Sequence, residues 1–591
     1  MLSVETLITD HIDTWTGTIK AKSSAGRGGG KKKELYGIKK LRELILELAV
    51  RGLLVPQDPS DENASELLKK IAKEKANLLN TGQIRKQKKL PSIKNDDQHF
   101  QLARGWAWTQ LGAIAEISPR NTLDDNLEVA FIPMPLITSS YDGCHQQESK
   151  KWADIKKGYT HFSDGDIAIA KITPCFENGK AAIFTNLKNG YGAGTTELHV
   201  ARLIGNLTDR RFILLYLKAP FFLERGKPKM TGSAGQKRIP NDYFIGNPLP
   251  LPPLAEQHRI VAKVDELMAL CDELEQTQTD HLQAHETLVA TVLAALTNAS
   301  EPKQFEDAWQ RIAAHFDTLF TTEASIEALK QTILQLAVMG KLVEQDPEDE
   351  PADKLLKEIA AKKARLTEVG EIKKQKALPE ISEEEYPFEL PVGWGWRRFE
   401  DLVNIQSGIT KGRKLAGRKT ITVPYLSVAN VQRSYLNLEN IKETQIPVEE
   451  RQKYQISDRD LLITEGGDWD KVGRTAIWRD EVPYMTHQNH VFKARVFFHD
   501  QCVVWLEKYL NSRFSRDYFA GSSKQTTNLA SINKTQLRGC IIAVPPHDEQ
   551  SRIVAKVDEL MALCDQLKAN LKTAQTTQLN LAESLVEKAI R

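Results

Sequence analysis

The 591 residues predict an α+β protein built twice: two globular segments of mixed α/β character separated by long helices, in a pseudo-twofold tandem repeat. Three observations lead there. The stretch IVAKVDELMALCD runs from Ile260 to Asp272 and recurs without change from Ile553 to Asp565. A helical block recurs as well. Leu41, Leu48, Gly52, Gln57-Asp58-Pro59 and Ile71 return as Leu329, Leu336, Gly340, Gln345-Asp346-Pro347 and Ile359, and IRKQKKLP (Ile84 to Pro91) returns as IKKQKALP (Ile372 to Pro379). Between these copies lie segments of short apolar runs, such as DIAIAKI from Asp166 and DLLITEG from Asp460, punctuated by Gly, Asn and Pro.

Length and composition exclude several classes. A chain this long exceeds one core and suggests about three to five domains. Apolar residues make up 41% and charged residues 27%, ordinary for a globular protein, and no run approaches the ~18 apolar residues of a membrane span. The opening MLSVETLITDHIDTW carries acids where a secretory leader carries basic residues, so a cytoplasmic location is expected. Six cysteines stand singly with no CxxC pair, which signals neither a zinc knuckle nor a redox pair. Net charge is +2, with a mild basic surplus in each globular segment, which permits nucleic-acid binding without demanding it.

In chain order, residues 1–19 suit a short amphipathic helix, followed by a flexible basic tether, KAKSSAGRGGGKKK (Lys20 to Lys33). The tether fails as a phosphate loop, because Ala25 stands where the first Gly belongs and Lys32 where Ser or Thr should follow. Residues 1–33 fall outside the repeat. Ile38, Leu41, Ile45 and Leu48 give the next helix one apolar face, Gly52 can end it, and a second helix runs from about Ser65 to Leu79. The globular segments keep a shared register: Asp166, Gly179-Lys180 and Ala182 align with Asp460, Gly473-Arg474 and Ala476. Each half closes on a long helix entered through Pro-Pro and a Glu-Gln pair in the first turn, where an acid suits the helix dipole. Ile260, Val264, Leu267, Cys271 and Leu274 form a heptad seam, copied at Ile553, Val557, Leu560, Cys564, Leu567 and Leu571, and the neighbouring helical blocks are the available partners.

Catalytic constellations are missing: no Gly-rich dinucleotide loop, no HExxH, no GxSxG and no Asn/Asp-Pro-Pro-aromatic motif of an amino-methyltransferase. His487 and His490, with Gln488 and Asn489, form a polar cluster that reads as a base- or phosphate-contacting loop more readily than as a metal site. The globular segments offer basic and polar turns in which Gly allows close approach to phosphate, Lys and Arg neutralise it, and Arg, Asn and Gln can read base edges. The candidate contacts are Lys171, Asn178, Lys180, Gln236, Lys237 and Arg238 in the first segment. In the second they are Lys411, Arg413, Lys414, Lys471, Arg474, Lys524, Gln525 and Asn528.

Two diverged globular segments between near-identical helical repeats, each closed by PPxxEQxxIVxKxDEL, resemble the specificity subunit of type I restriction-modification systems, in particular the larger members with an N-terminal helical region. The resemblance implies an N-terminal arm and linker (1–36), an N-terminal helical conserved region (37–95), a first target recognition domain (96–253), a central helical region forming a coiled coil (254–383), a second target recognition domain (384–546) and a C-terminal conserved helix (547–591). It implies that each domain reads one half of a split, asymmetric double-stranded DNA site. The helices would pair as antiparallel coiled coils that set the spacing, with the N-terminal block against the C-terminal helix, and would dock two methyltransferase subunits. Restriction subunits would complete the complex. S-adenosylmethionine and ATP with magnesium would belong to those partners, and no cofactor or metal to this chain. The outward residues Lys263, Asp265, Glu266, Lys556, Asp558 and Glu559 become candidate subunit contacts. The rival readings are a stand-alone DNA methyltransferase or nuclease, and a coiled-coil scaffold that does not bind DNA.

Overall fold

The computed structural model describes residues 4–21, 33–94, 97–233, 235–467, 471–522, 524–526 and 529–590. The chain divides into two compact units, residues 1–281 with 574–591, and residues 282–573.

The first unit opens with α1 (Val4–Asp10) and α2 (Ile12–Gly17), after which Lys20-Ala21 pairs antiparallel with Lys33-Glu34. α3 (Tyr36–Arg51) and α4 (Ala64–Asn80) follow. The apolar face of α3 is buried, with Ile38, Leu41, Ile45 and Leu48 all in the core. Gly52 ends α3 at φ +72°, where a Cβ would stand 2.9 Å from the Ala103 Cβ and 3.0 Å from the Trp106 ring. Only glycine tolerates both the left-handed backbone and that crowding. Gly340 repeats this at φ +69° against Pro391 and Trp394.

The globular domain of this unit starts and ends in one two-stranded ladder, β1 (Ala107–Gln110) against a strand at Pro248–Leu251. Between them lie β2 (Ala115–Ile117), β3 (Glu128–Ile132), β4 (Glu148–Lys151), β5 (Thr160–Ser163), β6 (Ile167–Ala170), β7 (Ala181–Ile183), β8 (Tyr191–Gly194) and β9 (Leu198–Leu203), with Pro248–Leu251 as β10. They form two sheets, ordered β2-β9-β6-β7 and β4-β3-β8-β5, with β3 and β8 parallel. Helices α5 (Arg210–Lys218) and α6 (Asn241–Gly246) follow the last sheet strand, and α7 (Leu254–Asn298) leaves the domain.

In the second unit come α8 (Pro302–Ala314), α9 (Phe316–Leu319), α10 (Glu323–Val338) and α11 (Ala352–Glu368). Its domain repeats the topology. β11 (Gly395–Arg398) pairs with Ile541–Val544, and β12 (Val403–Gln406), β13 (Thr420–Leu426), β14 (Lys442–Pro447), β15 (Leu461–Thr464), β16 (Gly466–Gly467), β17 (Thr475–Ile477), β18 (Thr486–His487) and β19 (Val491–Val496) lie between them. The sheets are ordered β12-β19-β15-β17 and β14-β13-β18, again with a parallel pair, β13 and β18. Two differences stand out: the second of these sheets has three strands where the first domain's has four, and β20 (Lys524–Thr526) and β21 (Leu529–Ser531) build a small sheet on β16, where the described residues of the first domain show the bridges Ile172–Arg238 and Thr231–Arg238. Ile541–Val544 is β22, α12 (Val503–Asn511) and α13 (Lys534–Gly539) match α5 and α6, and α14 (His547–Ala589) closes the chain.

The shared register has a structural cause. Asp166 and Asp460 are buried, accept backbone N–H groups from Ser163 and Ser457, and pair with Arg202 and Arg495 across the same sheet. A buried carboxylate without such partners is costly, so both must persist together.

The seams of the long helices pack on the helical blocks, as their heptads require. Ile260, Val264, Leu267 and Cys271 share a core with α3, and Ile553, Val557 and Cys564 share one with α10. Each block also receives a helix end. Ala582 and Leu585 of α14 join the α3 core, where Tyr36 Oη donates to Glu583 at 2.8 Å, while Val289, Leu293 and Leu296 of α7 join the α10 core.

The expectation that residues 1–33 lie outside the repeat is corrected for the arm. His11-Ile12-Asp13-Thr14 matches His315-Phe316-Asp317-Thr318, and the kink residues His11 (φ −125°, ψ 24°) and His315 (φ −118°, ψ 20°) share one backbone conformation. Val4, Ile8 and Trp15 are buried, as are their counterparts Ala308, Ile312 and Leu319. The match escapes a fixed-offset comparison because the basic tether lengthens the first copy. Residues 22–32 of that tether lie outside the described residues.

Candidate DNA-reading and subunit-docking surfaces

Just past β6 in the first domain, the Lys171 N–H donates to Glu197 O at 2.9 Å, and the Ile239 N–H donates to Lys171 O at 2.8 Å. This stitches the ends of β6 and β9 to the loop 231–239. The Arg238 guanidinium grips the Glu197 carboxylate at 2.8 and 2.9 Å, and that contact lowers the Glu197 pKa from its ordinary value. Gln236 and Lys237 stand exposed on the same loop. Four candidates therefore converge: Lys171, Gln236, Lys237 and Arg238. Asn178 is exposed on the neighbouring turn, but Lys180 is half-buried and its ammonium donates to Met134 O at 3.2 Å.

The second domain has the same stitch with different chemistry. The Glu465 N–H donates to His490 O, and the Ile532 N–H donates to Glu465 O, both at 2.9 Å. The His490 ring then meets the Glu465 carboxylate at 2.6 Å. Lys171 and Glu197 in one domain thus occupy the backbone positions of Glu465 and His490 in the other. Glu197 and Glu465 were not picked out from sequence, because a search for cations passes over acids. The alignment of Asp166 with Asp460, carried five residues on, would have found Glu465 opposite Lys171.

Other candidates disperse. Lys471 is half-buried, and Arg474 donates to Gln432 Oε1 at 2.6 Å. Lys524 and Gln525 lie on β20, and Asn528 lies outside the described residues. On a separate loop, the Lys411 ammonium sits 4.3 Å above the Tyr425 ring, Arg413 pairs with Glu450, and Lys414 is exposed. That loop abuts the histidine cluster through the Ile409–Gln488 bridge. The cluster itself divides. His487 is fully buried with Nδ1 2.7 Å from Val491 O, and burial pushes its pKa down to about 3, so it is a neutral core residue and not a phosphate contact. His490 remains at the surface.

The docking candidates on the long helices also sort by geometry. Asp265 receives the Arg211 guanidinium at 2.7 and 2.8 Å, and Asp558 receives the Lys508 ammonium at 3.0 Å. Both acids therefore tie the long helix to its domain, Asp265 to the first turn of α5 and Asp558 to the last turn of α12. Lys263 is shared between Glu5 and Glu266, and Lys556 pairs with Glu559, leaving Glu266 and Glu559 exposed.

The Pro-Pro-Glu-Gln lead-in is a joint rather than a dipole device alone. Glu256 accepts from the Trp106 indole at 3.0 Å and from Gln57 at 3.3 Å, while Glu549 accepts from Trp394 at 2.9 Å and from Gln345 at 3.3 Å. Burial raises both carboxyl groups from the usual range. Alongside, Arg259 pairs with Asp61 at 2.6 Å and Arg552 with Asp349 at 2.5 Å. Each joint locks helical block, domain entry and long helix together.

No group of three or more His, Cys, Asp or Glu side chains among the described residues is placed to hold a metal, and no described helix is long and apolar enough to cross a membrane.

A duplicated scaffold that carries two domains of closely related topology, with different side chains at the same backbone positions, defines a two-site recognition protein. Sequence comparison places it more narrowly. A family profile described as the type I restriction modification DNA specificity domain matches residues 103–284 and 391–575. The chain is 50% identical, over all of both chains, to the type I restriction enzyme EcoAI specificity subunit of Escherichia coli, and 47% identical, again over all of both, to the EcoEI specificity subunit of the same species. The structure of an HsdS subunit from Thermoanaerobacter tengcongensis is similar at 19% identity and a TM-score of 0.40, covering 85% of this chain and 99% of that one. The chain belongs to the specificity subunits of type I restriction-modification systems.

Proposed function

We propose that each globular domain reads one half of a bipartite, asymmetric double-stranded DNA site, with the stitched surfaces at Lys171–Glu197–Arg238 and Glu465–His490 as the reading centres. The observation that supports this is the exchange of side-chain chemistry at matched backbone positions. Arg and Lys suit guanine N7 and O6, a carboxylate suits the cytosine amino group, and Gln suits adenine. One fold with two such sets reads two different half-sites. The remaining candidates, Asn178, Lys180, Lys411, Arg413, Lys414, Lys471, Arg474, Lys524, Gln525 and Asn528, are dispersed phosphate or base contacts outside those centres.

The chain is non-catalytic and works inside a complex. Two methyltransferase subunits dock on the long helices, where Glu266 and Glu559 with Lys263 and Lys556 are the contacts on offer. S-adenosylmethionine belongs to those subunits, and ATP with magnesium to restriction subunits. A cytoplasmic location fits that role.

The test is methylation-sensitive sequencing of DNA from cells that carry the chain and its partner subunits, repeated after residues 96–253 are replaced by a relative's segment. The expected outcome is a split methylated site of which one half changes and the other does not. Concerted change of both halves, or methyl transfer by the purified chain alone, overturns the reading.

A further inference from the structure

The repeated linkers IRKQKKLP and IKKQKALP carry positive charge that the fold does not use. Both run without helix or strand from the end of α4 or α11 to the first strand of a domain. Their apolar and backbone groups hold them in place. The Gln110 side-chain amide donates to the Pro91 and Gly246 carbonyls at 3.0 Å each. At the matching position, the Arg398 guanidinium donates to Pro379 O at 2.9 Å and to Gly539 O at 3.0 Å. Leu90 packs over Gly112. The cations do none of this. Arg85, Lys86, Lys88 and Lys89, and Lys373, Lys374 and Lys376, are all exposed. Their one ion pair among the described residues is Lys88 with Asp242, at 3.6 Å and with both side chains largely in solvent. Neither linker contains an acid, in a chain whose 80 basic residues nearly balance 78 acidic ones.

Position adds a second argument. Each linker packs on the helix that directly follows the variable loop of its domain, α6 after Gln236–Arg238 and α13 after β21. In the second unit a groove of about 550 Å³ opens between linker and domain, where Lys373, Lys374, Lys376 and Arg397 line it together with Glu380, Glu400 and Asp401. Exposed lysine and arginine at matched positions, with no packing role, beside the loop that differs between domains, suit a ligand whose charge is constant while its sequence changes.

We infer that the two linkers are sequence-independent clamps on the DNA phosphate backbone, one beside each reading centre. This rests on the DNA-reading function proposed above. The domains supply discrimination and the constant linkers supply affinity, through release of counterions from neutralised phosphates.

The test uses the complex assembled with methyltransferase subunits, carrying either Arg85→Ala, Lys86→Ala and Lys88→Ala or Lys373→Ala, Lys374→Ala and Lys376→Ala. Binding to a cognate and an unrelated duplex is measured across a salt series. Each triple variant is expected to weaken both duplexes by the same factor. It should also flatten the slope of log affinity against log salt by about 0.9 per lost phosphate contact, so by about 2 to 3. Exchanging Lys for Arg and Arg for Lys at the same positions restores the slope. An unchanged slope in an intact complex overturns the inference. So does loss of the methyltransferase subunits from either triple variant, which assigns the linker to a protein partner. Failure of the unaltered complex to distinguish the two duplexes counts instead against the reading function, and is seen before any variant is made.

Discussion

Glu507 shows how much one side chain can differ between two copies of a fold. It lies on α12 almost wholly buried, where the matching position of α5 holds the core residue Leu214. Burial pushes its carboxyl up to about 7, with Lys508 partly offsetting the effect. The folded-state value exceeds the unfolded one, so the stability it contributes is full below the ordinary glutamate range and is lost as pH rises through about 7. That loss is about 3 kcal/mol at most. Glu507→Gln should therefore raise Tm over the unaltered chain by a margin that widens from pH 5 to pH 7.5 and is then constant; calorimetry at four pH values checks this, and a margin independent of pH contradicts it. Nothing in the sequence flags Glu507, because a lone acid in VVWLEKYL reads as the polar face of a helix. By contrast Asp166 and Asp460 were visible as a register, although only the structure shows that Arg202 and Arg495 keep them there. The DNA candidates fared unevenly for the same reason: a Gly-Lys or Gly-Arg turn identifies a cation but not what it already touches.

At the scale of elements, periodicity was a good guide. Every seam position predicted for the two long helices is buried or half-buried, and the helical blocks supply the cover. The lead-in Glu-Gln pairs were legible as a motif, but their role as joints depends on Trp106 and Trp394, which are distant in sequence and close in space. The arm was illegible because an insertion broke its offset, and repeats found at one spacing hide those at another. The long helices carry a further prediction. If α7 sets the gap between half-sites, deleting seven of its residues between Glu275 and Leu288 keeps the seam in phase and shortens the helix by roughly 10 Å. The methylated site should then keep both half-sequences and change its gap. An unchanged gap removes the spacing role from α7.

For the whole molecule, the resemblance carried by the duplicated PPxxEQxxIVxKxDEL helices implied a non-catalytic DNA reader with two reading domains, and the missing catalytic motifs agreed with it. The family assignment rests on the same repeats that the sequence displays. The resemblance already implied the C-terminal helix against the N-terminal block, and the first unit does take its last helical turns from residues 574–591; what sequence did not reveal is that the second unit, the continuous stretch 282–573, begins inside the helix that leaves the first domain.

That exchange of helix ends means that the order of the chain is not the order of the fold. The arm and the end of α14 share one core, with Gln578 beside Gly17 and Glu583 on Tyr36, so the first and last helices of the chain are already neighbours. The stretch between Asn298 and Pro302, just after Leu296 is seated, is the equivalent junction in the other copy. A circular permutant that links Arg591 to Met1 through a short flexible spacer and begins at Ser300 keeps every contact described for either unit. It should direct methylation to the same bipartite site as the original chain, its second domain now made first.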